Sequence, residues 1–169
     1  LQRIMEALLI TRQDLVKFTA TNGNVDTDNF IQWIKVAQDI HLQNYLGTKL
    51  LNKLKTDILA STLAGNYQTL VESYCKPVLI HWAMVEYLPF AAYTIANKGI
   101  FKHSSENAVN IEKAELDLLI DKERQIAQHY TQRMIDYLCF NNNLFPEYNQ
   151  NNNGDIYPDT NNYNIGWVL

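Results

Sequence analysis

Apolar residues recur at helical spacing along most of this chain, and polar breaks divide it into about five segments. Ile10 to Phe18 reads as a short helix, with Thr11 and Asp14 as a variant capping box that sets an acid in the first turn. Asn22-Gly23-Asn24 supplies a turn, and Asp26 to Asp28 offer N-caps for the next helix. There Phe30, Trp33, Ile34, Ala37, Ile40 and Tyr45 fall close to one face, while Gln32, Lys35, Asp39 and Gln43 lie towards the other. Gly47 is expected to stop that helix. Thr48 restarts one, with Leu51, Leu54, Ile58 and Leu63 on its apolar side, until Gly65-Asn66 breaks it.

The fourth segment, Tyr67 to about Asn97, is the most apolar, and Pro77 and Pro89 are expected to kink or divide it. From Pro77 to Ala96 it approaches the length of a bilayer span. Glu86 near its middle would cost about 2.5–3.5 kcal/mol on insertion scales, with no compensating group, so a central core helix is the expectation. Asn97-Lys98-Gly99 closes the region, and Gly99-Ile100-Phe101 reads as a short extended piece. Ser104 or Ser105 caps the last helix, which runs to about Cys139. Its Leu116, Leu119, Ile126, Tyr130, Met134 and Tyr137 hold helical spacing, and Asp117, Asp121, Lys122, Arg124 and Gln128 keep a solvated face. The expected fold is all-α, a compact bundle of about four to five helices with a kinked central helix and an extended C-terminal arm.

That arm begins where the composition changes. Residues 141–169 hold the asparagine runs Asn141–Asn143 and Asn151–Asn153, the acids Glu147, Asp155 and Asp159, and no lysine or arginine. Bulky side chains are spaced along them: Phe145, Tyr148, Tyr157, Tyr163 and a Gly166-Trp167-Val168-Leu169 terminus. Two readings stand side by side. The segment lies along another protein, each aromatic in a pocket, or it folds back over its own helices. The expected division is a bundle over 1–140 and an arm over 141–169, and deleting the arm is expected to leave the bundle folded.

The formal charge of −4 argues against a protein that grips phosphates through clustered Lys and Arg, though not against one that merely surrounds DNA. Cys75 and Cys139 have no metal or disulfide spacing and read as buried thiols of a reducing compartment. No secretion signal opens the chain, and a start at Leu1 implies a few preceding residues. None of His41, His81, His103 or His129 has a glutamate three residues before it, and no HExxH, P-loop or GxSxG occurs. Glu86 is a candidate acid or base if buried, but His81, five residues away, points to another face. Cys75 beside Lys76 and His41 near an apolar stripe read as core residues. No catalytic residue, metal or cofactor is expected.

Four features taken in order resemble a known family. One is the early helix with Ala37-Gln38-Asp39 that ends in Tyr45-Leu46-Gly47, and another the helix Lys49 to Leu63 that follows it. Then come the kinked segment from Cys75-Lys76-Pro77 to Ala92, leading into Asn97-Lys98-Gly99-Ile100, and the polar arm with Phe145-Pro146-Glu147-Tyr148. Together they resemble the head–tail connector (adaptor or ring) proteins of tailed bacteriophages, closest to those of crAss-like and other phages of gut Bacteroidetes. The resemblance implies a virion protein assembled in the host bacterial cytoplasm, not an enzyme and not membrane-bound. Its copies would form a ring, twelvefold by analogy, under the portal protein, bind further neck and tail proteins, and pass DNA without binding it specifically. In this reading Phe145, Pro146, Tyr148, Tyr157, Pro158, Tyr163, Trp167 and Leu169 are the arm's docking residues. An acidic lumen would let DNA slide, with Asp117, Asp121 and Glu123 as its candidate lining. The competing expectation is a small helical regulatory or interaction protein, monomer or dimer, with a self-folded tail.

Overall fold

A computed structural model describes residues 7–19, 27–91, 93–96, 99–102, 113–150 and 155–161. The turn expected at Asn22-Gly23-Asn24, the Asp26 cap, Asn97-Lys98, the Ser104 and Ser105 caps, and Asn151–Asn153 lie outside the described residues. The fold is all-α, with one small hairpin.

Helix α1 (Arg12–Phe18) starts at the expected capping box: the Thr11 amide donates to Asp14 Oδ2 at 2.8 Å, and the Asp14 amide returns to Thr11 Oγ1. Helix α2 (Thr27–Ala37) buries Phe30, Ile34 and Ala37, one residue per turn, and runs into a π-helical turn, Gln38–Leu42. Helix α3 (Gln43–Leu59) is broken inside at Gly47, so the expected stop and restart both occur there. Helix α4 (Gly65–Leu70) passes through a second π turn, Val71–Cys75, into α5 (Lys76–Tyr87). Pro77 sits in the first turn of α5, where a missing amide does no harm, and Pro89 lies in the 3₁₀ turn Leu88–Phe90 that ends it.

Strands β1 (Tyr93–Ala96) and β2 (Gly99–Lys102) follow as an antiparallel pair, Tyr93 opposite Lys102 and Ala96 opposite Gly99. The extended piece at Gly99 is therefore present. The apolar segment expected to be kinked or divided by its prolines is divided at Pro89, where the helix ends at Tyr87 and the 3₁₀ turn and hairpin follow, while Pro77 begins α5 without breaking it. Helix α6 (Lys113–Phe140) is the longest element. Among the described residues no helix is long and apolar enough to cross a membrane.

Helix α5 is apolar all round: Val78, Leu79, Ile80, Trp82, Ala83, Met84 and Val85 are all buried. It packs against α2 on one side and α6 on the other. The buried positions of α6, from Ala127 to Leu138, all lie in its second half, leaving its first half on the surface. Trp82 can be buried because its indole Nε1 donates to Thr131 Oγ1 (3.0 Å), and that hydroxyl donates to the Ala127 carbonyl (2.8 Å). Cys75 is fully buried among these helices, as expected, but Cys139 on the outer side of α6 is exposed.

Among the described residues, Gln38 is the one fully buried amide side chain. Its Nε2 donates to the Ala7 carbonyl and its Oε1 accepts from the Leu9 amide, both at 3.0 Å, so it holds the segment before α1 as a strand partner would. Replacing Gln38 by alanine would orphan two buried backbone groups, each worth about 1–3 kcal/mol. The expected outcome is a loss of at least about 2 kcal/mol in denaturant unfolding, with α6 signals unchanged in the native state.

Candidate functional site

Gly47 holds φ 75° and ψ 155°, a backbone region essentially reserved for glycine. In an unbroken helix the Thr48 amide would bond to the Asn44 carbonyl four residues back. Here both groups turn to the C-terminal segment instead: the Thr48 amide donates to the Ile156 carbonyl at 3.0 Å, and the Asp159 amide donates to the Asn44 carbonyl at 2.9 Å. Between these two rungs the buried Pro158 lies on Gly47 so closely that a Cβ there would meet the ring carbons at 2.7 and 2.8 Å. Residues 156–159 thus form a strap across the helix break.

The chain reaches that strap through two earlier anchors. After α6, the 3₁₀ turns Asn142–Leu144 and Pro146–Tyr148 bracket Phe145, which is fully buried, and Tyr148, which is nearly so. Phe145 meets Tyr67 edge-on, with ring centroids 5.4 Å apart, and Tyr67 donates its hydroxyl to Glu147 Oε2 at 2.7 Å. Lys53 Nζ lies 4.8 Å above the other face of Tyr67. Burial and the Glu147 carboxylate together push the Tyr67 hydroxyl up to about 12. Burial likewise raises Tyr148, whose hydroxyl faces Cys139 Sγ at 3.9 Å.

The structure therefore sorts the residues expected to dock on a partner. Phe145, Tyr148 and Pro158 are spent on the chain's own bundle, which corrects their assignment as free anchors and places Phe145 and Tyr148 in the core rather than beyond a boundary at 140. A deletion from Asn141 would uncover that core. Pro146 is exposed, and Tyr157 is 53% exposed. Tyr163, Trp167 and Leu169 lie outside the described residues. Of the acids expected to line a lumen, Asp117 and Asp121 are exposed, and Asp121 pairs with Arg124 at 2.6 Å. Glu123 is half-buried and bonded to His81 Nδ1 at 2.8 Å.

Helix α5 carries one further pair. Glu86 Oε1 meets His41 Nε2 at 2.7 Å, and the His41 ring stacks on Trp82 with centroids 3.9 Å apart. His81 and Glu86 thus diverge, as their spacing requires, one to α6 and the other to the π turn after α2. Glu86 also lines an open cleft of about 500 Å³ with Val85, Pro89, Asp117, Ile120, Asp121 and Arg124. Those lining residues include no serine, cysteine or lysine to act as a nucleophile. Cys75 lies apart from the cleft, its thiol pushed up by burial. Among the described residues no cluster of three or more His, Cys, Asp or Glu is arranged to hold a metal ion.

Apolar side chains exposed on the α2 side are Ile31, Ile40 and Phe90, the last stacked on Trp33 at 4.7 Å. On α6 they are Leu118, Leu119 and Phe140, exposed by 70, 48 and 89%.

A model of the family described as a family of unknown function, DUF6712, matches residues 42–158, more than half of the chain. The chain belongs to the DUF6712 family. No curated protein and no solved structure matches it. The DUF6712 span begins inside the π turn after α2 and ends on Pro158, so Gly47 and the proline seated on it both fall within it.

Sequence reasoning found Gly47 as a stop but missed the strap, because nothing local ties residue 47 to residue 158. The pairing of His41 with Glu86 was missed for the same reason.

Two measurements test this site. Gly47→Ala forces both a disfavoured backbone and a clash with Pro158, and should lower stability by about 2 kcal/mol or more. Adding Pro158→Ala should recover part of that loss in a double-mutant cycle, and strictly additive effects would place the proline elsewhere. For Tyr67, the folded pKa lies above the unfolded value of 10.0, so its contribution is complete below pH 10 and is lost as pH rises towards about 12. Tyr67→Phe should be less stable than wild type by about 1 kcal/mol at pH 8, and the gap in denaturation midpoint should narrow between pH 10 and 12.

Proposed function

We propose that this chain is a structural ring subunit of the neck of a tailed phage, docking under the portal, extending the DNA channel and joining the capsid vertex to the tail. The observation that carries the reading is the exposure of apolar side chains on two different helices. Ile31 on α2 and Leu118 with Leu119 on α6 are exposed, and both helices pack on α5. A closed ring of identical copies needs this arrangement, since each contact joins one face to a different face of the neighbour. The ordered resemblance to connector proteins supports the same reading, and the exposed Asp117 and Asp121 suit a wall that repels phosphates.

A second reading is favoured by the strap. A tail seated on its own helix break also suits a small helical regulatory or interaction protein that works as a monomer or dimer.

Mass by light scattering and negative-stain imaging separates the two, on the protein alone and mixed with portal assemblies. Rings are expected, alone or on the portal; a monomer or dimer indifferent to the portal sinks the connector reading. Two variants then test the contact itself. Ile31→Asp spoils the α2 side of the contact, and Leu118→Asp with Leu119→Asp spoils the α6 side. Each variant alone should stay monomeric with an unchanged melting curve. An equal mixture should form heterodimers and stop there, because each pair retains one intact contact. Rings from either variant alone would show that these faces are not the contact.

A further inference from the structure

The strap at Gly47 does not need to come from the same chain. Its contacts are two backbone rungs and one proline ring on a glycine, and any copy offers the same groups. The length of sequence before the strap also permits this. Gln150 reaches Lys49 by a side-chain hydrogen bond, two residues from Gly47. The first rung of the strap joins Ile156 to Thr48. Between these two points lie Asn151-Asn152-Asn153-Gly154-Asp155, without one apolar residue. From Gln150 to Ile156 that length can span about 20 Å when extended, far more than a return to the neighbouring residue requires. Within the strap, Ile156 and Tyr157 are 40 and 53% exposed in the single chain.

We propose that in the assembled state copies of this chain exchange straps, residues 156–159 of one subunit seating on the Gly47 break of the next. The inference rests on the ring reading and names its partner surface. In dilute solution no neighbour competes, and the strap's own chain supplies it at millimolar effective concentration. Exchange requires the neighbour's break to lie within that span of the linker, and it ties copies together without any new complementary surface.

The test uses full-length protein with Cys139→Ser, which removes the exposed thiol, and two single variants on that background, Thr48→Cys and Ile156→Cys. A chain carrying both cysteines is oxidised first, as a dilute monomer, to establish that the rung closes as a disulfide within one chain. If it does not, Asn44→Cys and Asp159→Cys, at the other rung, replace the pair. The two single variants are then mixed, assembled at high concentration or on portal assemblies, oxidised mildly and run on a non-reducing gel, with mass followed by light scattering. Exchange predicts a covalent dimer in the mixture, at least tenfold above either variant alone. Assemblies of ring mass without that dimer overturn the exchange and leave the connector reading standing. Chains that stay monomeric under every condition overturn both.

Discussion

One missing helical hydrogen bond organises this protein. At Gly47 the backbone leaves the helix, and the carbonyl of Asn44 and the amide of Thr48 lose each other. Two such groups left unpaired in a packed interior would each cost about 1–3 kcal/mol. The sequence meets the requirement more than a hundred residues later, with a short extended segment whose Ile156 carbonyl and Asp159 amide take the two vacant places. Only glycine tolerates that conformation, and only a residue without a side chain lets Pro158 lie against it.

The break belongs to a wider irregular stretch that holds both recorded ends of the chain. Nine residues before Gly47, the π turn sets Gln38 in the core, where its amide binds the backbone of Ala7 and Leu9. The same turn carries His41 to Glu86 on α5. A regular helix presents its neighbours with side chains alone, because its backbone groups are spent on itself. The π turn and the glycine break interrupt that self-sufficiency at two places, and there the N-terminal segment and the C-terminal strap attach. Around this seam α5 acts as the core, apolar on every side and pressed between α2 and α6.

Much of this was legible in the sequence. The all-α class, the capping box at Thr11 and Asp14, the stop at Gly47 with a restart at Thr48, and the extended piece at Gly99 all follow from local chemistry. Local chemistry was also enough to show that His81 and Glu86 diverge. Contacts between distant residues were not legible. Asparagine-rich composition marked residues 141–169 as unlike the bundle, yet composition does not say that Phe145 lies in the core or that Tyr67 would bond to Glu147. Glu123 sits at a spacing that looks solvated, and only the position of His81 on α5 gives it a partner. The Gly47 site shows the limit plainly: the broken helix was visible as a helix stop, and the segment that fills it was visible only as a proline beyond the second asparagine run.

The weakness of the strap contact is itself informative. Two backbone hydrogen bonds contribute about 1 kcal/mol each, and the buried proline adds an amount of similar size. A contact of about 3–4 kcal/mol corresponds to a dissociation constant near a millimolar, which is also the effective concentration that a short linker supplies. Such a strap is held in place by its tether and not by its own affinity. Phe145 and Tyr148 differ in kind, since each buries an aromatic ring in the core and fixes the chain before the linker begins. The tail is therefore built in two grades: a permanent seam as far as Tyr148, and beyond the asparagine linker a clasp that neighbours at high local concentration can contest. Exposed apolar residues on both sides of α5 are what would bring those neighbours close.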